Sequence, residues 1–213
     1  MIDYRECLVL TGYDDKMASI GDLTVRGKKK YAERWGFDFK CHRDYSPDTH
    51  PAWQKLGIVR NALLSHKLVL WLDADILVTN PDVDFVQEIA KEHMGFTFSY
   101  DWEFTDPDLF TSCAFTVMSC PRSFRFLDEA MKQTRFSVVT SCTWDQEAMR
   151  TVNRMGGEWA ETVRVLPHRE LASVPTEVQR SVSPWQPGDF LCHLGGIPNE
   201  WRVVLFDKFT PEE

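Results

Sequence analysis

No segment of the 213 residues approaches the roughly twenty consecutive apolar positions of a membrane-spanning helix, and the N-terminal stretch MIDYRECLVL lacks the layout of a signal peptide. The six cysteines (Cys7, Cys41, Cys113, Cys120, Cys142 and Cys192) are far apart, with no CxxC among them. That spacing fits neither a zinc site nor a small disulfide framework, and points to reduced thiols in a cytoplasmic protein. Neither GxGxxG nor GxxxxGK(S/T) occurs, which disfavours nicotinamide and P-loop chemistry. A basic excess is missing as well: the net charge is -8, which argues against nucleic acid as a partner. The one compact basic run, Lys28-Lys29-Lys30, reads as a solvated helix face. Without an internal repeat, a low-complexity tract or a linker, residues 1–213 read as a single domain. The polar end, FDKFTPEE, leaves open whether further domains follow C-terminal to it.

The chain is 43% hydrophobic and 13% aromatic with eight Trp, enough for a sizeable core. Aromatic richness accompanies sugar recognition, although most Trp are core residues. ECLVLTG reads as a buried strand, GDLTVRGKKKYAERWG as a helix closed by Gly36, and FDFKCH as a second strand. PAWQKLGIVRNALLSH opens on Pro51 as a second helix, and KLVLWLD is a strand apolar on both faces. This order predicts a doubly wound α/β sheet over about the first 75 residues, where ligands sit beyond the carboxyl ends of the strands. After Pro81 the reading is a helix, the strands GFTFSY and TSCAFTVMSC, helices from Pro121 and around TWDQEAMRTVNRMGG, a late strand GDFLCHLGG and a terminal helix NEWRVVLFDKF.

Asp73 falls at the mouth of that sheet, in VLWLDADILVTNP, with Ala74 alone between it and Asp75. Ionised carboxylates beside a core need a compensating charge. Two carboxylates so spaced can bind a divalent cation through oxygen, one directly and the other through a water or a sugar hydroxyl. A capping or ion-paired aspartate pair is the plainer account. The apolar strand before the pair, the apolar turn after it and Asn80-Pro81 closing a tight loop favour a ligand site. A haloacid-type DxD would follow the first strand rather than the third. His193 in CHLGG is a candidate ligand, and Gly195 and Gly196 allow backbone to approach phosphate. Imidazole among carboxylates favours Mn²⁺, with Mg²⁺ as the second choice. Thr11, Gly12 and Tyr13, at the end of the first strand, suit a nucleotide base as hydrogen-bonding group, close approach and stacking face, although an ordinary strand-to-loop turn accounts for Tyr13 equally well.

WLDADILVTNP resembles the DxD segment of nucleotide-sugar glycosyltransferases of the GT-A fold, nearest to the galactosyl- and xylosyltransferase family of yeast and plant Golgi enzymes. KKKYAERWGFDF, WQKLGIVRNALLSH, TSCAFTVMSCP, WDQEAM and HLGG resemble that family's segments in the same order. Together they cover about Tyr31 to Gly196. Each is weak alone; their order makes the resemblance specific. A compact viral or microbial version is one form it could take, such as the N-terminal module of a multidomain chlorella-virus glycosyltransferase.

The resemblance implies a GT-A glycosyltransferase fold, a Rossmann-like mixed sheet flanked by helices. Its nucleotide-binding half would span about 1–80 and its acceptor and catalytic half about 81–213. It implies that Asp75 and His193 ligate the metal, that Asp73 is a ribose or bridging contact as much as a ligand, and that Ala74 lies against the nucleotide. Lys55 and Arg60 would face the donor, unless one of the two is simply solvated, and Asp145 and Gln146 would flank the reacting centre. An N-cap role competes for Asp145, although Thr143 is an equally good cap. Ser112-Cys113-Ala114 replaces the family's Asn-Thr-Gly type triplet, so Ser112 touches a sugar pocket whose preference the resemblance does not fix. On the loop after GFTFSY, Asp101, Trp102 and Glu103 face the acceptor, Trp102 either stacking on sugar or anchoring the loop.

The activity implied is transfer of a hexose from a UDP-sugar to a hydroxyl of a glycan acceptor, with retention of configuration. An inverting enzyme would need a carboxylate base, for which Asp101, Glu103 and Asp145 are all candidates. A sugar-nucleotide pyrophosphorylase would need a Gly-rich basic loop where TGYDDKMAS stands. A glycan-binding module without activity would not require Asp73, Asp75, Asp145, Gln146 and His193 together.

Overall fold

The computed structural model describes residues 2–91, 93–138 and 144–210. Thr143, weighed above as a cap, and Cys142 lie outside them. The chain runs β1 (Cys7–Gly12), α1 (Ala18–Trp35), β2 (Asp38–His42), α2 (Pro51–Ala62), β3 (Leu68–Leu72) and β4 (Ile76–Val78). After a π-helical turn at Phe85–Ala90 come β5 (Phe96–Tyr100), β6 (Phe110–Met118), α3 (Pro121–Met131), α4 (Trp144–Asn153) and α5 (Glu158–Thr162). β7 (Val163–Leu166), β8 (Ala172–Ser173), β9 (Leu191–His193) and α6 (Asn199–Phe209) complete it.

The helix boundaries follow local chemistry. Gly36, at φ 72°, ends α1 and returns its N–H to the carbonyls of Ala32 and Glu33. Pro51 occupies the first turn of α2, where its missing N–H is harmless, and the His50 side chain caps by accepting from Ala52 N.

The main sheet has the order β2-β1-β3-β6-β5-β7. β1 pairs parallel with β2 and β3, as the strand–helix alternation predicts. β6 then runs antiparallel to both β3 and β5, and β5 parallel to β7, so the whole sheet is mixed. Every residue of β3 is buried because its two faces feed two cores. Leu68, Leu70 and Leu72 pack with Tyr31 of α1 and with Phe37 and Phe85 on one side. Val69 and Trp71 pack with Leu56 of α2, Phe126 of α3 and Met149 of α4 on the other. The period-2 alternation of a strand between two helical layers accounts for this division.

A second, three-stranded sheet has the order β4-β9-β8. Its first strand is the apolar segment just after the aspartate pair, read from the sequence as a turn. Ile76, Leu77 and Val78 pair antiparallel with His193, Cys192 and Leu191. This small sheet folds the distant CHLGG segment back onto the mouth of β3. Among the described residues, no helix is long and apolar enough to cross a membrane.

Candidate active site

At the carboxyl end of β3 the chain turns through Asp73-Ala74-Asp75. Lys28, on α1, holds that turn from beneath: its Nζ lies 2.7 Å from Asp73 O, 3.3 Å from Ala74 O, 3.1 Å from Thr24 Oγ1 and 3.2 Å from Thr11 Oγ1. Thr24 Oγ1 also donates to Ala74 O at 2.5 Å. Lys28 is fully buried, which corrects its reading as part of a solvated basic face. Burial lowers its pKa to about 7 against the pull of Asp75 and Asp73, because its direct partners are neutral oxygens.

A cleft of about 250 Å³ opens above the turn, lined among others by Lys55, Asp73, Asp75, Ser112, Asp145, Gln146, His193 and Gly195. Its centre is Lys55 of α2, whose buried Nζ lies 2.9 Å from both Asp73 Oδ1 and Asp145 Oδ2 and donates to Ser112 O at 3.0 Å. Burial disfavours the charged ammonium, but Asp145 and Asp73 outweigh it and raise the Lys55 pKa. Burial raises the Asp145 carboxyl, with Lys55 opposing. Asp73 Oδ1 also accepts from Trp71 Nε1 at 2.6 Å. Ser112 reaches the same point because β6 runs against β3, with Asp73 N donating to Cys113 O at 2.8 Å. Gln146 Oε1 accepts from Ser112 N at 2.9 Å, tying α4 to β6.

The opposite wall is set by the β4–β9 ladder. His193 stands opposite Ile76, and Leu194 N donates to Asp75 O at 3.0 Å. His193 Nε2 therefore lies 3.4 Å from Asp75 Oδ1. Arg202, from α6, brings a guanidinium nitrogen to 3.4 Å from Asp75 Oδ2. Burial favours the neutral acid at Asp75, yet His193 and Arg202 hold its carboxyl well below the usual carboxylate range. Burial opposes a charged imidazole, but Cys113 and Asp75 raise His193 well above the ordinary histidine value. Gly195 packs against the His193 ring, where any Cβ would overlap it. Gly196, at φ 81°, completes the turn.

The pair Asp75–His193 fits a divalent ion. Two cis ligands of an ion with bonds of about 2.1 Å lie roughly 3 Å apart, close to the observed spacing. His193 Nδ1, in addition, is buried without a hydrogen-bond partner. No three His, Cys, Asp or Glu side chains converge into a metal cage among the described residues. Asp73 is turned toward Lys55 and Trp71 instead.

Several expected residues take other roles. Arg60 does not reach the cleft; it pairs with Asp128 at 2.6 Å on the outer side of α2. Thr11 is fully buried and accepts from Lys28. Tyr13 offers no open stacking face: its ring lies between Gly21 and Arg43, whose guanidinium carbon is 4.1 Å from the ring centre. Its hydroxyl donates to Asp22 at 2.8 Å. Burial and that bond push its pKa up to about 12. Gly12 packs against the Tyr45 hydroxyl. Trp102 is 6% exposed, lies 5.4 Å from the His193 ring and lines the cleft beside it. Asp101 lines the cleft but is held 2.5 Å from Arg150. Lys28 and Arg202 escaped the sequence reading. A buried lysine in a basic run and an arginine on a terminal helix leave no local signal.

Residues 5–98 match the galactosyl transferase GMA12/MNN10 family. An alpha-1,2-galactosyltransferase of Schizosaccharomyces pombe, itself described as uncharacterized, is 32% identical over 75 residues. The alignment covers 32% of this chain and 20% of that protein, so the chain spans about a fifth of the length of the curated relative it matches. Among solved structures, a glycosyltransferase involved in glycosylation of the major capsid of the chlorella virus PBCV-1 superposes with a TM-score of 0.73. It is 13% identical and covers 95% of this chain and 98% of its own. The glycosyltransferase GlyE of Streptococcus pneumoniae TIGR4 gives 0.59 at 11% identity, over 97% of this chain and 60% of that one. A Drosophila β-1,4-galactosyltransferase 7 mutant, solved with manganese, UDP-Gal and xylobiose, gives 0.50 at 9% identity, over 89% and 71%. At such identities the likeness is one of fold: the chain has the GT-A glycosyltransferase fold, as the sequence resemblance implies.

Proposed function

We propose that the chain is a metal-dependent glycosyltransferase that moves a hexose from a UDP-sugar to a hydroxyl of a glycan acceptor. The observation that carries this reading is the meeting of Asp75 and His193 beside a cleft centred on Lys55. In this reading Asp75 and His193 hold Mn²⁺, or Mg²⁺ in its place, and Asp73 serves the ribose or bridges to the ion. A bound ion would neutralise the diphosphate as it departs. Ala74, Ser112, Gly195 and Gly196 line the donor, Asp145 and Gln146 flank the anomeric carbon, and residues from about 81 onward receive the acceptor.

Retention is favoured because every carboxylate lining the cleft already has a cationic partner. Asp73 and Asp145 share Lys55, Asp75 faces His193 and Arg202, and Asp101 faces Arg150. An inverting base must be free to take a proton from the acceptor hydroxyl, and each of these carboxylates is engaged by a cation instead. The second reading, inversion, is favoured by one observation alone, the raised Asp145 carboxyl.

The test is a Mn²⁺-supplemented screen of nucleotide sugars that reads nucleotide release, with Asp75→Ala as control. UDP release by wild type, and loss of Mn²⁺-dependent UDP binding in a folded Asp75→Ala, are expected. Release only from GDP- or dTDP-sugars would overturn the base assignment, and unchanged UDP titration heat in Asp75→Ala would overturn the metal site.

A further inference from the structure

Asp75 is a buried carboxylate with two cationic neighbours, neither close enough for a short charge-assisted hydrogen bond. The Arg202 guanidinium, at 3.4 Å from Oδ2, is otherwise tightly placed. Its Nε donates to Leu194 O at 3.0 Å, and one terminal nitrogen donates to Asn199 Oδ1 at 2.7 Å. Asn199 in turn donates through Nδ2 to Lys16 O at 2.7 Å, fixing the start of α6 to the segment that follows β1. Arg202 thus reaches Asp75 from a helix bolted on both sides, and its charge lies where a cation on Asp75 would feel it directly.

We infer that Arg202 is a built-in counter-ion that competes with the divalent ion for Asp75, so that metal binding depends on an anion, the nucleotide's diphosphate, to take over the guanidinium. The inference rests on the metal-dependent transferase reading. A dication ligated by Asp75 and an arginine 3.4 Å from the same carboxylate repel each other at short range in a partly buried site. Two events lower that repulsion: loss of the arginine charge, or arrival of a diphosphate that pairs with both cations. Phosphate is a strong partner for a guanidinium, and the terminal nitrogen facing Asp75 is the one that the bonds to Leu194 and Asn199 leave to meet it. Metal alone therefore binds weakly, and metal with nucleotide binds well, partly because of one residue on the last helix.

The experiment measures Mn²⁺ affinity by titration calorimetry and by the electron paramagnetic resonance of unbound Mn²⁺, with and without UDP. It compares wild type, Arg202→Gln, Arg202→Lys and Asp75→Asn, and thermal denaturation monitors folding. Arg202→Gln is expected to bind Mn²⁺ alone about tenfold more tightly than wild type, the scale of removing one nearby like charge at moderate effective dielectric. The gain in Mn²⁺ affinity that UDP brings should shrink in Arg202→Gln and persist in Arg202→Lys, which keeps the charge. An Arg202→Gln that binds Mn²⁺ alone no better than wild type, while Asp75→Asn loses binding, would overturn the inference and leave the metal site standing. Wild type and Asp75→Asn binding Mn²⁺ alike would overturn both. Should Arg202→Gln unfold, Arg202→Lys decides: its shorter reach draws the charge away from Asp75, so tighter Mn²⁺ binding agrees, and equal or weaker binding refutes.

Discussion

Asp75 and His193 face each other at 3.4 Å because the register of β4 against β9 sets His193 opposite Ile76. The relationship is one of backbone pairing first and side-chain chemistry second. A slip of one residue in that ladder would send His193 to the other face of the small sheet, since strand side chains alternate. The apolar triplet Ile76-Leu77-Val78 is therefore part of the site, although none of its side chains carries chemistry.

Gly195 offers the most direct test of this geometry. A Cβ there would overlap the His193 ring, which must then rotate away from Asp75. Gly195→Ala is expected to lower Mn²⁺-dependent UDP affinity tenfold or more, and to cost about 1–3 kcal/mol of stability because Gly195 is buried. An Ala variant with wild-type affinity and a crystal structure showing His193 unmoved would remove His193 from the ligand set.

Lys55 is the neutralising charge of the cleft, lying between Asp73 and Asp145. Lys55→Met would leave two carboxylates in a buried site without their shared cation. Breaking such a buried pair costs about 3–5 kcal/mol. Chemical denaturation should show a loss of that order, and adding Asp145→Asn to Lys55→Met should recover part of it. A Lys55→Met protein as stable as wild type would mean that solvent reaches this site and screens it.

Much of this was legible in the sequence, and the reason differs from residue to residue. The β1–β3 half was readable because Leu8, Leu10, Val69 and Trp71 alternate with Val9, Leu70 and Leu72 across a sheet buried on both sides. Asp73, Asp75, Asp145, Gln146 and His193 were legible as motifs, and the structure gathers them around one cleft. Lys28 was not legible, because three adjacent lysines on a helix point in three directions and only packing shows which one is inside. The covering of the Tyr13 ring is not legible, because nothing local tells that Arg43 and Gly21 lie against it. β4 is not legible as a strand, because three residues carry no periodicity until their partner, far along the chain, is known.

Arg60 separates sequence likeness from structural role. Its guanidinium pairs with Asp128 on the outer surface, both side chains substantially exposed. Exposed pairs of this kind contribute about 0–1 kcal/mol. Arg60→Ala is expected to leave UDP affinity and nucleotide release at wild-type levels and to change stability by no more than that. A tenfold fall in UDP affinity would show that α2 shifts on donor binding and carries Arg60 into the cleft.

Lys28 gives a prediction whose sign can be fixed in advance. Burial lowers its pKa in the folded protein to about 7, against an ordinary value of 10.5. Between those values the unfolded chain binds the proton and the folded chain gives it up. The unfolded state thus holds more protons, and stability from this group rises with pH across the window. Below about pH 7 both states are protonated and the slope vanishes. One group can contribute at most about 1.4 kcal/mol per pH unit. Lys28→Met removes the titration and also leaves the carbonyls of Asp73 and Ala74 without their Nζ donor, so it should be less stable at every pH. Urea denaturation at pH 6.5, 7.5 and 8.5 should show the gap between wild type and Lys28→Met widening as the pH rises, with all other titrating groups cancelling between the two proteins. Parallel curves would mean that the four oxygen acceptors keep the Lys28 ammonium charged throughout. The charge beneath the Asp73-Ala74-Asp75 turn would then be permanent.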